Sequence, residues 1–121
     1  MNYKSPRPNV IREKSYSFAI KIVLFCQKLP SQYNFTLSNQ LLRSGTSIGA
    51  NIEEAGGAYS KKEFRAKLGI AYKEARETKY WLRLLKDTDI SPASEIDPLI
   101  SDVGEIIKIL VSILKSSQEQ P

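Results

Sequence analysis

The sequence contains no histidine and a single cysteine, Cys26. The first absence removes the commonest general base and the commonest metal ligand together. The second leaves no disulfide within the chain and fits a reducing compartment, with Cys26 a small core residue in an apolar run. Long hydrophobic stretches are lacking as well. The longest, from Phe18 to Cys26, is interrupted by Lys21 and falls far short of the roughly 20 residues that a membrane span needs. The opening MNYKSPRPNVIREK has no apolar segment of the secretory kind, so a cytoplasmic location is expected, without a membrane partner.

These absences decide one apparent motif. Gly45-Thr46-Ser47-Ile48-Gly49 reads G-x-S-x-G, the pattern of a serine-hydrolase nucleophile elbow. An elbow needs a strand-turn-helix setting, a histidine to take the serine proton and an acid to orient it. No histidine exists, and Ser47 lies within a helical repeat. For metals only carboxylates remain, and the inward seams of the chain carry none. Glu53 and Glu54 are adjacent, so on a helix they point about 100° apart and form no acid/base pair. No lysine follows the glycines in a G-x-x-x-x-G-K arrangement. Enzymatic activity, a metal and a cofactor are therefore not expected.

What the sequence does contain is helical period. With 121 residues, 41% apolar and 26% charged, it is sized for one soluble domain. In the first segment Phe18, Ile22, Phe25 and Leu29 recur 4, 3 and 4 apart, and Pro30 closes it. The second starts near Thr36 and runs through Leu41, Gly45, Ile48, Ile52 and Ala55 until Gly56-Gly57 stop it. The third opens on the capping box Ser60-Lys61-Lys62-Glu63 and continues through Phe64, Leu68, Ala71, Ala75, Thr78, Leu82 and Leu85. The fourth starts at either Ser91-Pro92 or Asp97-Pro98, then shows Leu99, Val103, Ile106, Leu110 and Ile113. No strand alternation competes. The fold class is all-α: an up-down-up-down four-helix bundle over residues 11–115, between a disordered tail at 1–10 and a frayed end at 116–121. The Ser-, Pro- and Asp-rich KDTDISP is its last turn.

Gly45 and Gly49 share one helix face. A glycine inside a helix costs about 1 kcal/mol relative to alanine, so the pair calls for a packing reason: a groove admitting a neighbouring backbone, of this bundle or of another subunit.

The outside of the third helix is segregated by charge. With Phe64 at zero on a helical wheel, Lys62, Arg65, Tyr72, Arg76, Lys79 and Arg83 gather near +100°, with Lys86 close by, whereas Glu63, Glu74 and Glu77 gather near −100°. The net charge of +5 and a pI of 9.4 agree with an acidic partner. A basic ridge with an interleaved tyrosine suits a phosphate backbone, the tyrosine stacking on a base; a solvated face with local ion pairs is the plainer reading. The same flanks also suit a heterologous contact, the basic side of one subunit meeting the acidic side of the next and closing a ring. Ile20 and Leu24, on the outer side of the first helix, add apolar surface that one bundle does not bury, so a homo-oligomer is expected.

QLLRSGTSIGANIEEA (residues 40–55), followed by SKKEFRAKLGIAYKEARETKYWLRLL (60–85), resembles the four-helix-bundle proteins encoded by intervening sequences of bacterial 23S rRNA genes, the S23 family. They are similar to the accessory variability proteins of diversity-generating retroelements. The resemblance covers about residues 12–115. It implies a barrel-like pentamer and, from the retroelement relatives, a basic surface that binds nucleic acid and a reverse transcriptase. Arg43, Asn51, Glu53, Glu54, Phe64, Glu74 and Glu77 fall on family motif positions, and Asn51 and the carboxylates are expected to fix helix and subunit contacts. Ala55-Gly56-Gly57 stands where many relatives read E-G.

Two functions are consistent with these features. One is a nucleic-acid-binding accessory protein acting on RNA or RNA-DNA through the ridge of Lys62, Arg65, Tyr72, Arg76, Lys79, Arg83 and Lys86. The other is an oligomeric scaffold that docks a protein partner, its subunits meeting through Ile20, Leu24, Glu63, Glu74 and Glu77 with the charged ridges buried between them.

Overall fold

A computed structural model of the chain describes residues 7–30 and 36–118. Four helices account for most of them: α1 (Arg7–Lys28), α2 (Thr36–Ala55), α3 (Lys61–Asp87) and α4 (Ala93–Ser116), and no strand occurs among the described residues. Each helix packs on the next in sequence, and α1 closes the ring against α4. Ion pairs fix the directions. Arg12 near the start of α1 meets Glu53 at the end of α2, Lys67 near the start of α3 meets Glu54, and Lys86 at the end of α3 meets Asp97 at the start of α4. Lys14 and Lys21 of α1 meet Glu105 and Asp102 of α4 in reverse order. All four neighbouring pairs run antiparallel, which makes the up-down-up-down bundle.

The core is built from the predicted seams. Phe18, Ile22, Phe25 and Leu29 of α1, Leu41, Gly45, Ile48, Ile52 and Ala55 of α2, all seven α3 positions and all five α4 positions are buried. A fully buried large apolar side chain contributes about 1.5–3 kcal/mol, so these seams hold the helices together, while each exposed ion pair adds at most about 1 kcal/mol. A polar bridge enters the core where Thr78 donates to Ser44 Oγ at 2.9 Å, joining α3 to α2.

The helix ends refine the expected boundaries. α1 begins at Arg7, so residues 7–10, expected in the tail, are helical, with Pro8 in the first turn where its missing N–H costs no hydrogen bond. Residues 1–6 and 119–121 of the expected tails lie outside the described residues. α2 ends at the paired glycines without a left-handed residue, tightening instead through Gly57 N–H to Glu54 O (3.0 Å) and Ala58 N–H to Ala55 O (3.1 Å). At α3, Ser60 Oγ accepts from Glu63 N–H at 3.1 Å, but the reciprocal bond goes one residue further out, from Tyr59 N–H to Glu63 Oε2 at 3.3 Å. Of the two starts open for α4, the earlier is used, shifted by one: Pro92 is the cap and Ala93 the first helical residue. Pro98 stands inside the helix. It is exposed, as is Ser94, whose carbonyl loses its usual partner, while buried Ile96 and Leu99 pin the chain on either side.

The small-residue groove of α2 receives α1 of the same chain. A Cβ on Gly45 would lie 2.9 Å from Ile22 Cγ2, and one on Gly49 would lie 3.3 Å from the Ser15 carbonyl oxygen. Ser47 is a helix-surface hydroxyl, accepting from Asn51 Nδ2 at 3.1 Å.

Candidate nucleic-acid interface

The two flanks of α3 have different fates. The acidic flank turns toward α2, where Arg43 reaches across: Nη1 donates to Glu74 Oε2 at 2.8 Å and Nη2 pairs with Glu77. Glu77 also accepts from the Trp81 indole N–H at 2.9 Å. That bond leads the causes holding the Glu77 carboxyl below its ordinary value, with burial opposing it and Arg43 adding to it. The Arg43 guanidinium is pushed up in turn, chiefly by its bond to Glu77. Glu63 caps the helix, as described above. The three carboxylates expected to face another subunit therefore have partners within this chain.

The basic flank divides. Arg65 is half-buried and closes the end of α4, donating to Leu114 O at 2.5 Å and Ser117 Oγ at 2.7 Å, which satisfies carbonyl and hydroxyl groups that the helix end leaves open. Lys86 is taken by Asp97. Tyr72, expected as the stacking aromatic, is half-buried against the core and its hydroxyl accepts from Arg76 at 3.0 Å, with the guanidinium 5.8 Å from the ring centre. Arg65 and Lys86 thus belong to the α3–α4 contact, and Tyr72 packs against the core.

Lys62, Arg76, Lys79 and Arg83 remain exposed, and none has a carboxylate within ion-pair distance among the described residues. Lys73, which the sequence reading passed over, joins them on the same terms. So does Tyr80, 57% exposed. On the wheel Tyr80 stands about 160° from the core seam, one turn from both Arg76 and Arg83, so the signal for it was in the spacing. Its ring meets Trp81 edge to face, with centres 5.0 Å apart at 73°.

On α1, Ile20 and Leu24 are exposed as expected, and Val10, Tyr16 and Val23 extend their stripe along the outer face. Cys26 is buried, and burial pushes its thiol pKa up. No group of three potential metal ligands is gathered among the described residues. Among the described residues no helix is long and apolar enough to cross a membrane.

The geometry defines an all-α bundle whose third helix carries a cationic, tyrosine-bearing outer face. The chain belongs to the 23S rRNA-intervening sequence protein family, whose model matches residues 7–112. It is similar to a protein with unknown function from the S23 ribosomal protein family of Bacteroides thetaiotaomicron VPI-5482, solved at 1.70 Å, with 47% identity over 90% of this chain and 98% of that one and a TM-score of 0.86. Comparison with curated proteins finds no match.

Proposed function

We propose that this protein is a non-enzymatic, oligomeric nucleic-acid-binding accessory protein, with RNA or an RNA-DNA hybrid as its ligand and the outer face of α3 as the contact. One observation carries the reading: Lys62, Lys73, Arg76, Lys79 and Arg83 stand exposed together on that face, none of them with a carboxylate partner among the described residues. Such a row displaces counterions from a phosphate backbone, and their release drives binding. The family's tie to ribosomal RNA genes favours RNA. Assembly into a homo-oligomer, a pentamer by family resemblance, would multiply the row and raise avidity.

The scaffold alternative required basic and acidic flanks to meet between subunits. Arg43 already occupies Glu74 and Glu77 within the chain, which weakens that reading. The exposed stripe around Ile20 and Leu24 is the better candidate for the subunit contact, and it leaves the α3 face free.

Replacing Arg76, Lys79 and Arg83 by Glu tests the proposal. RNA binding measured by fluorescence anisotropy should be lost while circular dichroism and oligomer mass are kept. Undiminished RNA affinity in the folded variant would reject it, and collapse of the oligomer would instead favour the scaffold.

A further inference from the structure

We infer that the α3 face binds nucleic acid as a single strand, with one unpaired base stacked on Tyr80 between phosphates held by Arg76 and Arg83. The inference rests on the proposed nucleic-acid function and goes beyond it by naming the form of the ligand.

Placement comes first. Tyr80 is four residues after Arg76 and three before Arg83, so the three side chains follow one another along a single strip of helix, with Lys73 and Lys79 beside it. From Lys73 to Arg83 the strip is about 15 Å long, a reach of a few nucleotides. The guanidinium groups supply charge to phosphates in any form of nucleic acid. Tyr80 distinguishes the forms: a tyrosine can stack only on a base with a free face, and in a duplex the base faces are covered by one another.

Rigidity is the second element. Tyr80 lies edge to face with Trp81, the Trp81 indole is bonded to Glu77, and Glu77 is bonded to Arg43 of α2. The ring is therefore backed by a chain of contacts reaching into the neighbouring helix, which distinguishes it from a loose surface side chain. Fixing it beforehand lowers the entropy lost when a base settles on it. The same chain makes Trp81, the only tryptophan, a reporter on Tyr80.

The test compares a short mixed-sequence RNA single strand with a blunt RNA duplex of equal length, using wild type, Tyr80→Phe and Tyr80→Ala. The single strand should bind more tightly than the duplex and change Trp81 emission. Tyr80→Phe, which keeps the aromatic face, should behave as wild type. Tyr80→Ala should weaken single-strand binding about tenfold or more, leaving duplex binding and the salt dependence unchanged. Equal affinity for the two forms, or a Tyr80→Ala variant that binds the single strand like wild type, would overturn the inference; loss of binding in the Arg76, Lys79 and Arg83 charge reversal would then still support the cationic surface. Absence of binding to either RNA would remove both.

Discussion

Gly45 and Ile22 lie so close that a single methyl group does not fit between them: a Cβ on Gly45 would be 2.9 Å from Ile22 Cγ2 and 3.1 Å from its Cγ1. Ile22 is β-branched and fully buried, so its side chain cannot swing aside. Gly45→Ala is expected to lower stability by about 1–2 kcal/mol even though alanine is the better helix former. Gly69 is the matched control, with nothing within 4 Å of its missing Cβ. Gly69→Ala should raise stability by about 1 kcal/mol. Urea denaturation of the two variants should move the midpoint in opposite directions.

Asp89, with φ of 59°, is the one described non-glycine residue in the left-handed region. It sits where a glycine would normally end a helix: Ile90 N–H donates to Leu85 O and Asp89 N–H to Lys86 O, each at 3.1 Å. Asp89→Gly relieves the side-chain clash of that conformation and should add about 1 kcal/mol of stability, seen as a thermal midpoint higher by about 4 °C.

Glu77 gives the bundle a pH dependence of defined sign. Its folded pKa lies below the ordinary value of 4.5, first through the Trp81 indole bond and then through Arg43. A depressed carboxylate binds fewer protons folded than unfolded, so its stabilisation is whole above the ordinary value and is lost as pH falls through the folded one. Glu105, lowered mainly by its bond to Lys14, acts in the same direction. Between pH 5 and more acid solution the wild type should lose stability more steeply than Glu77→Gln. Parallel acid-denaturation curves would contradict this role.

Ile20 and Leu24 carry the subunit contact in this account. Light scattering should give a mass well above 13.7 kDa for wild type. Ile20→Lys with Leu24→Lys should reduce it to the monomer with helicity unchanged, because both side chains are exposed on the single bundle and their loss opens no cavity. A wild-type monomer would refute the assembly.

The buried half of the molecule was legible in the sequence because burial imposes a period. Phe64 through Leu85 follow a 4-3 repeat, and every member is buried. The outer half was less so, because a helical wheel gives a direction but not what stands there. Arg65 and Arg83 share one angle on the wheel, yet only Arg65 has the end of α4 within reach. Glu74 and Glu77 looked free until α2 brought Arg43 beside them. Tyr72 and Tyr80 differ by about 80° around the helix, enough to place one against the core and the other in solvent. Gly45 and Gly49 announced a close neighbour, but only the packing of α1 on α2 shows it to be α1.

The central claim is that exposed cations of α3 hold a phosphate backbone, and the dependence of RNA affinity on salt tests it most directly. For a single strand, each neutralised phosphate contributes about −0.7 to the slope of log affinity against log salt. Engagement of Lys73, Arg76, Lys79 and Arg83 by one strand therefore predicts a slope near −3, falling toward zero when Arg76, Lys79 and Arg83 are changed to Glu. A flat salt dependence in wild type, or a slope that the triple replacement leaves unchanged, would contradict it.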